Sequence, residues 1–284
     1  MHIGFRLVDV FTPRPFAGNQ LCVVPEAGEL DTKTMQAITR EIGFSETAFV
    51  TQAEGDRYAM RIFTPGKEMP FAGHPTLGTA FVLVTEGRVS SPATQVVAAG
   101  EFPVSVDLVG ATASMQQRPA VLDEPFEDRD LLARAAGLGV DDLHPDLPAT
   151  PIDTGLRHLI VPLRDPNALR RAVSAGPLVG EVCRASGGDS MYLFAVDEDG
   201  VTARMFDWDL GVGEDPATGS AAGPLGAYLA EHAVADMPGR VTIRQGEQVG
   251  RPSELHVEVP EGPGPWRPVV SGGVHLVGRG EFDI

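Results

Sequence analysis

The chain repeats itself once, with a period near half of its 284 residues, and that repeat restricts the possible folds more than any other feature. Four anchors keep their order. Gly18 to Val24-Pro25 answers Gly155 to Val161-Pro162, and Ser45-Glu-Thr-Ala-Phe-Val answers Ser190-Met-Tyr-Leu-Phe-Ala-Val. Arg61-Ile-Phe answers Arg204-Met-Phe, and His74-Pro answers Asp215-Pro. Each half carries several strand-like stretches and a single apolar helix. The expected fold is therefore α+β: two similar lobes, each a sheet wrapped round its buried helix, with the helix mouths facing across a cleft. The first lobe is expected over residues 1–120, completed by a C-terminal strand at 274–284, and the second over 121–273.

Local pattern fills in the elements. Alternation predicts strands at residues 3–11, 44–50, 58–63, 102–108, 190–196, 201–206 and 254–259, and apolar runs predict others at 21–24, 95–98, 111–117, 154–162, 240–244, 269–270 and 274–279. Asp31 caps a helix with Met35, Ile38 and Ile42 on one face and Gly43 as its stop. Short helices are expected at 127–137 and 166–175.

The two helices of the repeat are apolar nearly all round, which marks them as buried. Proline suits a first helical turn, so helices are expected just after His74-Pro75 and Asp215-Pro216. A polar residue then stands at each mouth, where unpaired N–H groups and the helix dipole favour anions. Pro224 falls about two turns into the second helix if that helix starts at Pro216. Either the helix is kinked there or it begins later, and the placement of Ser220 depends on which.

A net charge of −17 argues against a nucleic-acid or anionic-membrane surface. No apolar run reaches membrane-span length, and the first residues lack a signal-peptide layout, so a soluble cytoplasmic protein is expected. Cys22 and Cys183 form neither a disulfide framework nor a metal cluster and are expected to be buried.

Chemistry should sit where the repeats differ, at His74 against Asp215 and at Glu46 against Met191. Two readings of Glu46 stand open: a carboxyl whose pKa is raised by apolar surroundings, suited to taking and returning a proton, or a solvated residue on an edge strand. His74 at a helix start is expected to be neutral. Thr76, Thr79, Thr218 and Ser220, with the amides of Gly73 and Gly219, can cap their helices or bind a carboxylate. Asn19 and His158, on matching turns, are weaker candidates. A metal is not expected, since His74 and Asp215 are too few ligands.

Glu46 in Gly-Phe-Ser-Glu-Thr-Ala-Phe, the Gly73-His-Pro-Thr-Leu-Gly-Thr-Ala stretch, Glu214-Asp-Pro-Ala-Thr-Gly-Ser-Ala and Gln245-Gly-Glu-Gln-Val-Gly-Arg-Pro-Ser resemble the PhzF-like (phenazine biosynthesis-like) proteins. The resemblance covers essentially the whole chain. It implies the diaminopimelate epimerase-like fold, with two pseudo-symmetric lobes, each a barrel-like, mostly antiparallel sheet around a central buried helix, together with cofactor-free isomerase chemistry and a homodimer. It implies Glu46 as general acid/base on a small unsaturated acid, with His74 and Asp215 holding or protonating the substrate. Ser220 and the Gly73 and Gly219 amides would bind its carboxylate; Asn19 and Thr76 are expected, from their own positions, to bind substrate as well. The related epimerases carry a cysteine at each helix mouth, and none stands at His74 or Asp215 here, so two-thiol epimerisation is not expected. Two alternatives remain: an epimerase working Glu46 against a second base, and a small-molecule binding protein without turnover.

Overall fold

The computed structural model describes residues 2–208, 213–262 and 264–284. The chain divides into two units, Met1–Gln116 with Ser271–Ile284, and Gln117–Val270.

In the first unit the strands are β1 (His2–Val10), β2 (Asn19–Val24), β3 (Glu46–Glu54), β4 (Arg57–Phe63), the short β5 (Glu68–Met69), β6 (Ala93–Val97), β7 (Gly100–Asp107) and β8 (Thr112–Gln116). Neighbouring strands run antiparallel except β2 with β3 and β4 with β6, which are parallel. Those two junctions need crossover helices. They are α1 (Thr32–Ile42) and α2 (Gly73–Thr85). The C-terminal strand, Val269–Asp283, pairs with both β1 and β8 and closes an eight-stranded ring.

The helices lie on opposite sides of that ring. α1 covers the outside, where Leu30, Met35 and Ile38 pack with Val24, Phe49 and Phe63. It starts at the Asp31 cap, whose carboxylate accepts the Thr34 N–H at 2.7 Å, and stops at Gly43 with φ +69°. α2 fills the inside, and every residue from Gly73 to Leu83 is buried. Gly78 lets it approach the wall: a Cβ there would lie 2.6 Å from Leu21 Cδ2 and 3.0 Å from Val10 Cγ2.

The second unit repeats the scheme with β9 (Val121–Leu122), α3 (Arg129–Ala135), β10 (Thr150–Asp153), β11 (Arg157–Pro162), α4 (Pro166–Arg171), α5 (Pro177–Ser186), β12 (Ser190–Asp197), β13 (Gly200–Phe206), β14 (Glu214–Asp215), α6 (Gly219–Glu231), β15 (Gly239–Gln245) and β16 (Ser253–Val259). Again two neighbours are parallel, β11 with β12 and β13 with β15. α4 and α5 cross over outside, burying Leu169, Val179 and Val182 against Met191 and Leu193. α6 is the central helix, buried from Gly219 to Ala230.

Several expectations change. The strand expected at 154–162 begins only at Arg157, as β11, because Gly155 turns the chain with φ +138°, and β10 ahead of that turn was not expected. α5 is an element the sequence reading passed over. α2 starts at Gly73, so His74 lies inside its first turn rather than ahead of it. α6 starts at Gly219, three residues beyond Pro216, which resolves the Pro224 problem. Pro224 is then the sixth helical residue, its missing N–H forfeits only the bond to the Ser220 carbonyl, and the helix continues through it.

The ladders also correct the alignment of the repeats. Thr47 pairs with Phe63 in the first unit, and Met191 with Phe206 in the second. Matching Phe63 to Phe206 therefore places Met191 on Thr47, Ser190 on Glu46 and His158 on Leu21. Beyond that, Phe63 pairs with Glu68 and Phe206 with Glu214, so Asp215 answers Met69 and Ser220 answers His74. The contrasts of Glu46 with Met191 and His74 with Asp215 are both out of register. A one-residue slip turns a strand side chain to the other face. Met191 indeed packs outward under α4 and α5, whereas Glu46 points at α2.

Candidate active site

In the first unit Glu46, His74, Asn19, Gly73 and Thr76 gather where β2 and β3 begin and α2 starts. The parallel pairing of β2 with β3 sets Leu21 beside Glu46 and brings Asn19 and Ser45 to the same end. Ser45 Oγ donates to Asn19 Oδ1 at 3.2 Å, and Asn19 Nδ2 lies 3.1 Å from His74 Nδ1. Accepting from the Asn19 amide puts the ring proton on Nε2, whereas donating to the Gln20 carbonyl puts it on Nδ1. Nε2 lies 3.4 Å from Glu46 Oε2, in contact but not aligned as a hydrogen bond, and it is a buried atom with no hydrogen-bond partner. His74 is 3% exposed, and burial pushes its pKa down to about 3, with the backbone of Gln20 opposing weakly. The imidazole is thus neutral at pH 7 and faces the carboxyl through Nε2.

A buried orphan polar atom is costly in a native protein unless something uses it. α2 is also uncapped: Ala72 offers its first turn no side-chain acceptor. The Gly73 and His74 amides therefore face the same end as the acid–imidazole pair. Thr76 does not join them, since its hydroxyl donates to the Ala72 carbonyl at 2.7 Å. Asn19 is engaged in orienting His74.

In the second unit Asp215, Gly219 and Ser220 lie about the start of α6. Asp215 is on β14, ahead of the helix, and 4% exposed. Its Oδ2 accepts from Thr218 Oγ1 at 2.8 Å. Gln245 clamps this turn: Nε2 donates to the Asp215 carbonyl at 2.8 Å and to Thr218 Oγ1 at 3.0 Å, while Oε1 accepts from Tyr192 at 2.8 Å and from the Thr218 N–H at 3.2 Å. Gln117 steadies the first turn, donating to the Gly219 carbonyl at 2.8 Å and accepting from Thr154 at 2.6 Å. It lies where a Cβ on Gly223 would stand, 1.8 Å from its Oε1.

His158 occupies the centre of this unit's site. Its Nδ1 is 2.8 Å from Ser190 Oγ and its Nε2 3.1 Å from Ser220 Oγ. Burial lowers its pKa to about 4, against the raising influence of Asp189 and Asp153. The positions that carry the acid–imidazole pair in the first unit thus carry two serines here, bridged by an imidazole from the neighbouring strand. Sequence reading missed Ser45, Ser190, Tyr192 and Gln117 as site residues. Ser190 could have been found by aligning Phe63 with Phe206 and counting back through the two hairpins.

Each unit packs its sheet on a central helix, and the first carries a buried carboxyl against a neutral imidazole. Curated relatives are named as isomerases. A protein named as an uncharacterised isomerase in Escherichia coli O157:H7 is 33% identical over 265 residues, spanning 89% of this chain and 88% of its own. The trans-2,3-dihydro-3-hydroxyanthranilate isomerase of Pseudomonas aeruginosa is 33% identical over 269 residues, spanning 92% and 91%. The chain belongs to the phenazine biosynthesis-like protein family, whose model matches residues 8–277. The crystal structure of a PhzF-family phenazine biosynthesis protein from Bacillus anthracis covers 100% of both chains with a TM-score of 0.88 at 28% identity. The protein is therefore an isomerase of that family, and among the described residues no helix is long and apolar enough to cross a membrane.

Proposed function

We propose that the chain moves a proton between carbons of a small unsaturated amino- or carboxylic acid, without a cofactor, and that Glu46 takes and returns that proton. The carrying observation is the asymmetry between the units. Of the two equivalent positions, one holds a buried carboxyl against an imidazole nitrogen that has no hydrogen-bond partner, and the other holds Ser190 in a satisfied network. A carboxyl shielded from water and set beside an imidazole is placed to take a proton from a bound substrate and return it. His74, held neutral by burial, sets no charge of its own beside the Glu46 carboxyl. Asp215 holds or protonates the substrate. The Ser220 hydroxyl and the Gly73 and Gly219 amides take the substrate carboxylate, each helix start favouring an anion.

The test is deuterium exchange. Trans-2,3-dihydro-3-hydroxyanthranilate, the compound named for the P. aeruginosa relative, leads a panel of unsaturated amino and carboxylic acids incubated in D2O. Glu46→Gln should lose exchange and turnover with unchanged thermal stability. Full activity in that variant sinks the mechanism.

A further inference from the structure

We propose that His158 is a positioning residue: with Ser190 behind it, it holds the Ser220 hydroxyl as a hydrogen-bond donor aimed away from the imidazole, toward an anionic ligand. The idea rests on the reading that Ser220 takes the substrate carboxylate.

The argument is a proton count. A neutral imidazole has one N–H and one lone pair. If Nδ1 carries the proton, it donates to Ser190 and Ser220 donates to Nε2. The Ser190 hydroxyl proton then has no acceptor, because among the described residues its one hydrogen-bond partner is His158. Ser190 is 1% exposed, so water does not replace that acceptor. If Nε2 carries the proton, the ring and Ser190 are both satisfied: Ser190 O–H donates to Nδ1, and Nε2–H donates to Ser220 Oγ. The hydroxyl left over is that of Ser220, the second residue of α6, at the end of the helix where the dipole favours an anion. The first arrangement spends the Ser220 proton on the imidazole and presents only lone pairs to a ligand, which repels a carboxylate. The second presents O–H. The burial of Ser190 thus selects the arrangement that suits an anion at Ser220.

Asp153 and Asp189 are the charged groups acting on the ring; both pull toward protonation, and burial outweighs them, so the one-proton count holds at pH 7. The equivalent site in the first unit needs no such device, since Leu21 replaces His158 there and the imidazole is supplied by the helix itself.

The experiment uses the full chain labelled with 15N-histidine. Long-range 1H–15N correlation reads the His158 tautomer at pH 7, assigned by comparison with His158→Gln. The expected result is Nε2–H in the free protein, and a shift toward Nδ1–H or a mixture in Ser190→Ala. A predominant Nδ1–H form in the wild type overturns the proposal, as does a tautomer indifferent to Ser190→Ala. Benzoate serves as the carboxylate probe. Its affinity should fall about tenfold in Ser190→Ala and at least as much in Ser220→Ala, the loss of one hydrogen bond to a charged group. A protein that shows the Nε2–H tautomer and its Ser190 dependence, but binds benzoate equally with and without the Ser220 hydroxyl, refutes the carboxylate reading and leaves the tautomer control standing.

Discussion

Acidification from pH 7 to pH 5 should destabilise this protein, and the main source is the two buried imidazoles. In the unfolded chain a histidine titrates near 6.5, whereas burial holds His74 at about 3 and His158 at about 4. The folded state therefore resists protons that the unfolded state accepts. Stability rises with pH wherever the unfolded state binds more protons, so this contribution is complete above pH 6.5 and is lost as pH falls below it. Between pH 7 and 5 the unfolded form of each residue gains nearly 1.5 pH units of protonation, about 2 kcal/mol at 1.36 kcal/mol per unit. Two such residues give about 4 kcal/mol, a large share of the 5–15 kcal/mol of a typical domain. His232 and His256 have lowered values too and act in the same direction. Urea unfolding at pH 7, 6 and 5 measures the loss. His158→Gln, which can still donate and accept between Ser190 and Ser220, should roughly halve it. An unchanged pH slope in that variant would show that His158 is not held neutral by burial, and the reasoning fails.

Two further outcomes follow from the duplicated scaffold. Arg204 and Glu214 form an ion pair at 7% and 14% exposure, with the guanidinium also donating to the Leu169 and Ala172 carbonyls, whereas the equivalent Arg61–Glu68 pair is 30% and 38% exposed. By chemical denaturation Arg204→Gln should cost about 3–5 kcal/mol and Arg61→Gln about 1 or less, since only the first strands a buried charge. Gly78→Ala forces a methyl against Leu21, Val10 and Val8 and should cost about 1–3 kcal/mol, read as a lower midpoint with an unchanged slope.

The architecture was legible because the repeat is written in chain order: Arg61-Ile-Phe and Arg204-Met-Phe fall at the same place in β4 and β13, and apolar runs mark both central helices. Register was not. Proline was taken as the common mark of the two helix starts, yet Pro75 lies inside α2 while Pro216 precedes α6 by three residues. Its true counterpart is Pro70, in Glu68-Met-Pro-Phe-Ala-Gly against Glu214-Asp-Pro-Ala-Thr-Gly. The charge pairs that follow β4 and β13 would have shown this. Ser45 drew the second error, since serine precedes the strand in one half and starts it in the other. α5 was missed because Leu178, Val179, Val182 and Cys183 make a short stripe between two glycine-rich turns, weaker than the β-runs on either side.

The strand Val269–Asp283 sets the order in which the molecule can assemble. It aligns His2 with Asp283, so the first ring is closed by residues 281 positions apart in the chain. A ribosome releases β1 to β8 long before their closing partner exists. During that interval the edges of β1 and β8 are open, with α2 inside an incomplete wall, while the second unit is still being made. Open strand edges invite pairing with other chains, and such distant contacts form slowly. Cells making this protein must carry its first 116 residues through that exposed interval before the ring can close.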